Sequence, residues 1–391
     1  MGKLGSLINP TWFELKHSRG LETDELRAYM RSTVLMTDFL TLIPAFILFF
    51  YNFKRVSNVN EPLPVAYSCV FAVLSPSLIL VDHGHFQYNC ASLGLFLYAL
   101  VAFLNDFDCV GTILFSCAVF YKQMEFYHAL PFAFYLLGRM FASRLQSSLL
   151  HAVKLAFVTL LTFIIVFYPY LGSSSDVLQV FKRMFPINRG LFEDKVANFW
   201  CVSSPLFRWK DHFASNTLFK LCFMLTVTMS LAPCLKLLAC PSKQLLLYAQ
   251  ATVSLAFFLF SYHVHEKSII VPLIPALCLL PLEPSLALNF SLTSVLSMWP
   301  LLSKDKLAGP TLALTFSFLF AAHTICKSCD LTASAHYVSV ILFTAVISAF
   351  SILPQNSRYP HLFELVISTL GFAFFVGYFS YLLYKTVFRV K

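Results

Sequence analysis

Four polar stretches interrupt an otherwise apolar chain, and each gathers residue types able to bind phosphate or move protons. Asp82-His83-Gly84-His85-Phe86-Gln87-Tyr88-Asn89 holds one carboxylate, two imidazoles and two amides. Imidazoles exchange protons near neutral pH, and Gly84 permits a sharp turn or the close approach of a ligand. If the stretch is helical, His83 shares a face with Gln87 and His85 with Asn89. Tyr121-Lys122-Gln123-Met124-Glu125 has His128 one turn on. His263-Val264-His265-Glu266-Lys267-Ser268 opens an apolar run, and the free N–H groups of such a helix start attract phosphate. There Lys267 adds a positive charge and His265 a hydrogen-bond or proton donor. Phe185 to Trp200 sets Arg189, Glu193, Asp194 and Lys195 among Phe185, Phe192, Phe199 and Trp200. Arg189 has the planar fork that grips phosphate with two bonds.

Each stretch also has a plainer reading. Asp82–Asn89 suits a water-exposed cap with Phe86 and Tyr88 in an aromatic belt. A charge at mid-bilayer costs about 2.5–3.5 kcal/mol, so Lys122 and Glu125 either pair at the interface or face a wet cavity. His83, His85, His263 and His265 form HxH pairs, but no close pair of carboxylates completes a metal site, and we expect none. Cys326 and Cys329 form a lone CxxC near His323 without the second pair that zinc needs.

The elements that position these stretches follow from composition. The chain has 391 residues, 58% hydrophobic and 12% charged, with 43 Phe and a mean hydropathy of +0.73. Crossing the hydrocarbon core takes about 20 mostly apolar residues, and such runs occur almost end to end. They are continuous and lack the alternation of a membrane barrel. The expected fold class is therefore all-α, a polytopic transmembrane helical protein forming one integral membrane domain over 1–391. Nothing points to nucleic acid as a partner. The 11 Cys lie mostly within apolar runs and suggest no disulfide framework.

Apolar runs predict spans near 33–51, 62–82, 90–104, 109–121, 126–141, 151–170, 217–238, 245–262, 269–281, 285–301, 309–325, 333–353 and 362–384. Some are short, so between eleven and thirteen membrane segments are expected. With Lys385, Arg389 and Lys391 cytosolic, the short basic loops at Lys54-Arg55, Arg139, Arg144, Lys236, Lys243 and Lys327 share that side, as the positive-inside rule requires. The opposite face receives a lead-in at 1–32, the turn after Asp82, Lys122–Glu125, the long loop 172–213 and His263–Lys267. It carries more of the 28 Lys and Arg, which an anionic ligand would explain. Asp38, inside the first span, either serves the site or bonds a neighbouring helix. Asn289-Phe290-Ser291 is formally a glycosylation sequon but lies in an apolar run.

These motifs, in this order, resemble the asparagine-linked glycosylation glucosyltransferases of the endoplasmic reticulum, a family with the GT-C membrane fold. The likeness runs from Ile8-Asn9-Pro10 to Lys306. It is densest at Asp82–Asn89, Tyr121–Glu125 with Tyr127-His128-Ala129-Leu130-Pro131, Phe185–Trp200 and Val264–Ser268. The second and third resemble the members that add the first glucose. The resemblance implies a multi-pass protein of the endoplasmic reticulum membrane, acting as a monomer on its lumenal face. The implied reaction transfers glucose from dolichyl phosphate glucose to a nine-mannose oligosaccharide on dolichyl diphosphate. It is α-1,3 and inverting, so it requires a general base. The donor is a lipid-linked sugar, and no cofactor is implied.

On that reading Lys267 and His265 hold the donor phosphate and Arg189 adds a second grip. Asp82, Glu193 and Glu266 bind sugar hydroxyls or orient the basic groups, and His265, Glu266 and Asp82 are the supporting candidates for the catalytic set. His83, His85, Gln87, Lys122, Glu125 and Lys195 line the substrate, and Tyr88 and Trp200 stack on sugar rings. The family begins with a further helix and a lumenal loop bearing the acidic motif that supplies the base. Ile8-Asn9-Pro10-Thr11-Trp12 already corresponds to the segment leading into the family's second helix, which places the base upstream of Met1. Two other readings are a lipid or solute transporter, for which paired half-repeats would be expected, and a non-catalytic protein that binds dolichyl phosphate.

Overall fold

The computed structural model describes residues 2–13, 20–55, 61–184, 195–329, 334–352 and 361–390. Among these there are helices and turns only, and each of the thirteen apolar runs lies on a helix. The first, α1 (Asp24–Tyr51), starts earlier than hydropathy suggests. Thr23 caps it by accepting from the Leu26 amide at 3.2 Å, and Asp24 and Glu25 sit where the positive end of the helix dipole favours them. A π-turn at Asp38–Leu42 bulges its middle.

α2 (Val65–Gly84) breaks at Ser75-Pro76, where proline cannot continue the preceding hydrogen-bond ladder, and ends in a second π-turn, Leu80–Gly84. There follow α3 (Asn89–Leu104), α4 (Asp108–Tyr121), α5 (Ala129–Phe141), α6 (Leu145–Phe167), α7 (Ser174–Met184), α8 (Ser215–Ala239), α9 (Lys243–Phe260), α10 (Ile270–Cys278), α11 (Pro284–Ser297), α12 (Ala308–Ser328), α13 (Ser334–Ile352) and α14 (Leu362–Tyr384). Among the described residues, seven helices are long and apolar enough to cross a membrane, and three further apolar helices are shorter. The fold is that of a polytopic helical membrane protein.

The core gathers around α3, α9, α10 and α11, whose residues are buried on nearly every side. A helix apolar all round belongs either in such a core or against lipid. α6 is the lipid-facing case, with Leu149, Val153, Phe157, Leu160 and Ile164 exposed. α3 packs on α1 and α4, α9 on α8, α10 and α14, and α11 on α13 and α14.

Successive antiparallel helices send alternate connections to opposite ends. At one end Arg139 bonds Asp108 at 2.8 Å and reaches Asp106 at 3.2 Å, and Lys243 pairs with Asp106 at 2.9 Å. At that end too, Glu283 takes Tyr248, Tyr381 and Lys385 at 2.7–2.9 Å. The other end holds the polar stretches Asp82–Asn89, Tyr121–Glu125 and His263–Ser268. The sequon Asn289 is buried and bonded to Ser339, so it is a packing residue.

Candidate active site at the polar end of the bundle

The site begins with the end of α2. Of the Asp82–Asn89 stretch only 82–84, the end of the π-turn, and Asn89, the start of α3, are helical, and Phe86 between them adopts a left-handed φ of 73°. The expected helical faces therefore do not form, and His83 and His85 turn to different partners. His83 Nε2 meets the carboxylate of Asp38, the first residue of the π-turn of α1. Asp38 is thus a partner of a neighbouring helix. His85 Nδ1 meets Asp305 Oδ2 at 2.5 Å, and His85 Nε2 lies 3.3 Å from Lys267 Nζ. Gly84 makes a close approach, but to protein: a Cβ there would lie 2.9 Å from Leu307 Cδ1.

Asp82 is placed differently from its expected role beside substrate. Its carboxylate is buried and accepts from the Asn89 side-chain amide at 2.6 Å and the Cys90 amide at 2.6 Å. It thereby satisfies the start of α3, whose first N–H groups have no partner within the helix. Tyr88 is likewise committed: its hydroxyl lies 2.9 Å from Thr33 Oγ1 and donates to the Met30 carbonyl at 3.1 Å, tying the turn to α1.

Lys122 leaves α4 in an extended conformation and reaches back to the same turn. Its ammonium donates to the side-chain oxygen of Asn89 and, at 3.3 Å, to Gln87 Oε1. Burial pulls the Lys122 pKa down, against the restoring charges of Asp82 and Glu125. Glu125 sits in the 3-10 turn Gln123–His128, and burial raises its pKa to about 7, against a Ser92 hydrogen bond and the charge of Lys122. Glu125 Oε2 and His128 Nε2 face each other at 3.7 Å, both buried and neither otherwise bonded. The opposite ring nitrogen of His128 contacts Gln250 Oε1 at 3.1 Å.

His265 is the N-cap of the 3-10 turn Glu266–Ile269 ahead of α10: its carbonyl accepts from the Ser268 amide at 3.0 Å, while Ser268 Oγ accepts from the His265 amide at 3.3 Å. This is a helix-start arrangement of the kind expected, with Lys267 pointing across to His85 and Glu266 beside it. Between α1 and α2 an apolar groove of about 180 Å³, lined by Leu35, Phe39, Phe46 and Leu74, runs up to Asp38 and His83.

Two expected residues stand apart from this cluster. Trp200 was expected to stack on sugar, but its ring is 3% exposed, its indole N–H donates to the Phe260 carbonyl at 2.8 Å, and Trp209 packs edge-on at 5.2 Å. No ring face is left for a ligand, because an aromatic side chain in this loop serves the core beneath it. Lys195 pairs with Glu364 at 3.5 Å on α14. Arg189 and Glu193 lie outside the described residues. The four histidines do not converge, since His83, His85 and His265 each serve a different partner. Asp38, Asp82 and Cys90 bring donor atoms within 4.8 Å of one another, but both carboxylates are already engaged. Asp305 is the residue that sequence reasoning passed over; between Lys304 and Lys306 it reads as a solvated charge.

The polar end thus brings His85 and Lys267 together beside a capped turn, with Lys122 fastened to the same loop through Gln87 and Asn89, while the apolar groove reaches the neighbouring Asp38–His83 pair. The ALG6, ALG8 glycosyltransferase family model matches residues 1–381. The chain belongs to this family. A relative from Gallus gallus, named dolichyl pyrophosphate Man9GlcNAc2 alpha-1,3-glucosyltransferase, is 37% identical over 409 residues, covering 96% of this chain and 80% of the relative. The Drosophila melanogaster relative, named a probable enzyme of the same kind, is 36% identical over 97% of this chain and 80% of its own length. The Saccharomyces cerevisiae glucosyltransferase of that name is 38% identical over 82% of this chain and 60% of its own length. In this glycosyltransferase, then, the conjunction of His85, Lys122, Lys267 and His265 is the candidate active site.

Proposed function

We propose that this chain transfers glucose from dolichyl phosphate glucose to Man9GlcNAc2 carried on dolichyl diphosphate, forming an α-1,3 bond with inversion. The reading has the protein act as a single chain at the lumenal face of the endoplasmic reticulum membrane, its C-terminus cytosolic. The names of the relatives supply the acceptor and the linkage. The observation that carries the mechanism is the meeting of Lys267 with His85 beside the His265-capped turn. A lipid-linked donor leaves as a phosphate, and preorganised cationic donors stabilise the charge that develops on it. The groove beside His83 suits a polyprenyl chain lying in the membrane. Inversion needs a base for the acceptor hydroxyl. Asp38, Asp82 and Asp305 are bonded to His83, α3 and His85 respectively, so we give them positioning roles. A transporter reading draws no support from the relatives.

The test supplies membranes containing this chain with dolichyl phosphate glucose and the Man9GlcNAc2 lipid acceptor. One added hexose is expected, reduced at least tenfold by Lys267→Ala or His265→Ala in protein that remains in the membrane. Donor binding without transfer would favour the non-catalytic reading, and full activity in both variants would overturn the phosphate assignment.

A further inference from the structure

The turn carrying Asp305 is held against the end of α2 by two separate contacts. Leu307 packs over Gly84 closely enough to exclude a Cβ there, and Asp305 takes His85. Lys306 between them adopts a left-handed φ of 61°, so the backbone turns sharply between the two contacts. A carboxylate can only accept, so the His85 proton sits on Nδ1. In the neutral ring Nε2 then carries the lone pair, and it is this atom that faces the Lys267 ammonium at 3.3 Å. Of the other charged groups around the turn, Asp38 holds His83, Asp82 holds α3, and Lys122 holds Asn89 and Gln87, while His265 and Glu266 flank Lys267 on its turn and Lys304 and Lys306 flank Asp305.

Resting on the reading of Lys267 as a phosphate ligand, we propose that Asp305 is a positioning residue that makes His85 a second, proton-dependent phosphate ligand. With no anion present, neutral His85 accepts from Lys267 and parks the ammonium. When a phosphate monoester arrives, Lys267 turns to it, and Nε2 takes up a proton from solvent and donates to the same phosphate. The carboxylate behind Nδ1 stabilises the imidazolium so formed, as an acid behind a histidine does in catalytic triads. Asp305 never touches the ligand. Its effect is read in the pH at which binding strengthens.

The probe is dolichyl phosphate itself, titrated against the purified full chain in detergent between pH 5.5 and 8.5, with melting temperature followed in parallel. Wild-type affinity is expected to rise about tenfold as pH falls across that range. Asp305→Asn is expected to flatten the rise and weaken binding about tenfold at the acid end while melting at the wild-type temperature. Asp305→Glu should restore the pH dependence, and His85→Gln should abolish it. An Asp305→Asn protein with the wild-type pH profile overturns this inference and leaves the phosphate role of Lys267 standing. Absence of dolichyl phosphate binding by the wild type at every pH overturns both. If Asp305→Asn fails to fold, the flat profile of His85→Gln against the restored profile of Asp305→Glu decides, and a pH-dependent His85→Gln protein refutes it.

Discussion

The Lys122 ammonium is bonded to the side-chain oxygen of Asn89, the first residue of α3, so the end of α4 is fastened to the turn that carries His83 and His85. Asn89 is 3% exposed, so it is shielded from the bulk solvent that could replace that donor. Lys122→Met keeps the length of the stem and removes the charge. The expected loss is about 1.5–3 kcal/mol, the usual range for a hydrogen bond to a charged group whose partner stays buried. A lower melting temperature in detergent, with a matching drop in transfer, is the expected result. An unchanged melting temperature would mean that Lys122 serves substrate alone.

Asp82 occupies the same helix start from the other side. Asp82→Asn turns one acceptor into a donor that faces the Cys90 amide or the Asn89 side chain, both of which are donors themselves. Leaving such a group unpaired costs about 1–3 kcal/mol. Stability should fall while the activity of the folded fraction changes less than tenfold. A loss of about 10²-fold or more in protein of wild-type stability, the scale of a lost proton-transfer group, would return Asp82 to the catalytic set.

What the sequence made legible and what it hid divide along a physical line. The thirteen apolar runs each became a helix because the bilayer rewards length and hydropathy, which are local properties. The gathering of Asp82–Asn89, Lys122 and His263–Lys267 at one end followed from counting alternations. Pairing was not legible. His83 finds Asp38 from 45 positions away and His85 finds Asp305 from 220, and neither distance leaves a trace in spacing. The left-handed Phe86 broke the helix that would have aligned His85 with Asn89. Trp200 resembled a sugar platform because an aromatic beside charges reads the same whether it faces a ligand or plugs the core.

That plug can be tested directly. Trp200→Phe keeps most of the apolar ring but removes the indole N–H that donates to the Phe260 carbonyl at the end of α9. The lost bond and the smaller ring together should cost about 1–3 kcal/mol. The apparent KM for dolichyl phosphate glucose should not move, because the ring touches protein on both faces. A rise in KM at unchanged stability would place a sugar against Trp200 after all.

Glu125 predicts how stability responds to pH. Burial raises its pKa from 4.5 to about 7, so the folded protein keeps a proton there that the unfolded chain has released. Between those values the folded state binds more protons, and stability must fall as pH rises. The contribution of the neutral carboxyl is complete below about pH 4.5 and is lost as pH climbs through about 7. Within that window one group changes stability by at most about 1.4 kcal/mol per pH unit. Glu125→Gln is nearly isosteric and cannot ionise, so it should melt at a higher temperature than wild type above pH 7 and match it near pH 5. The neutral amide also keeps a donor facing His128 Nε2, which otherwise stands 3.7 Å from the carboxyl with no hydrogen-bond partner. Melting curves of the two proteins from pH 5 to 8.5 would decide the point. Parallel curves would show that Glu125 ionises without cost, and therefore that Lys122 compensates its charge in full.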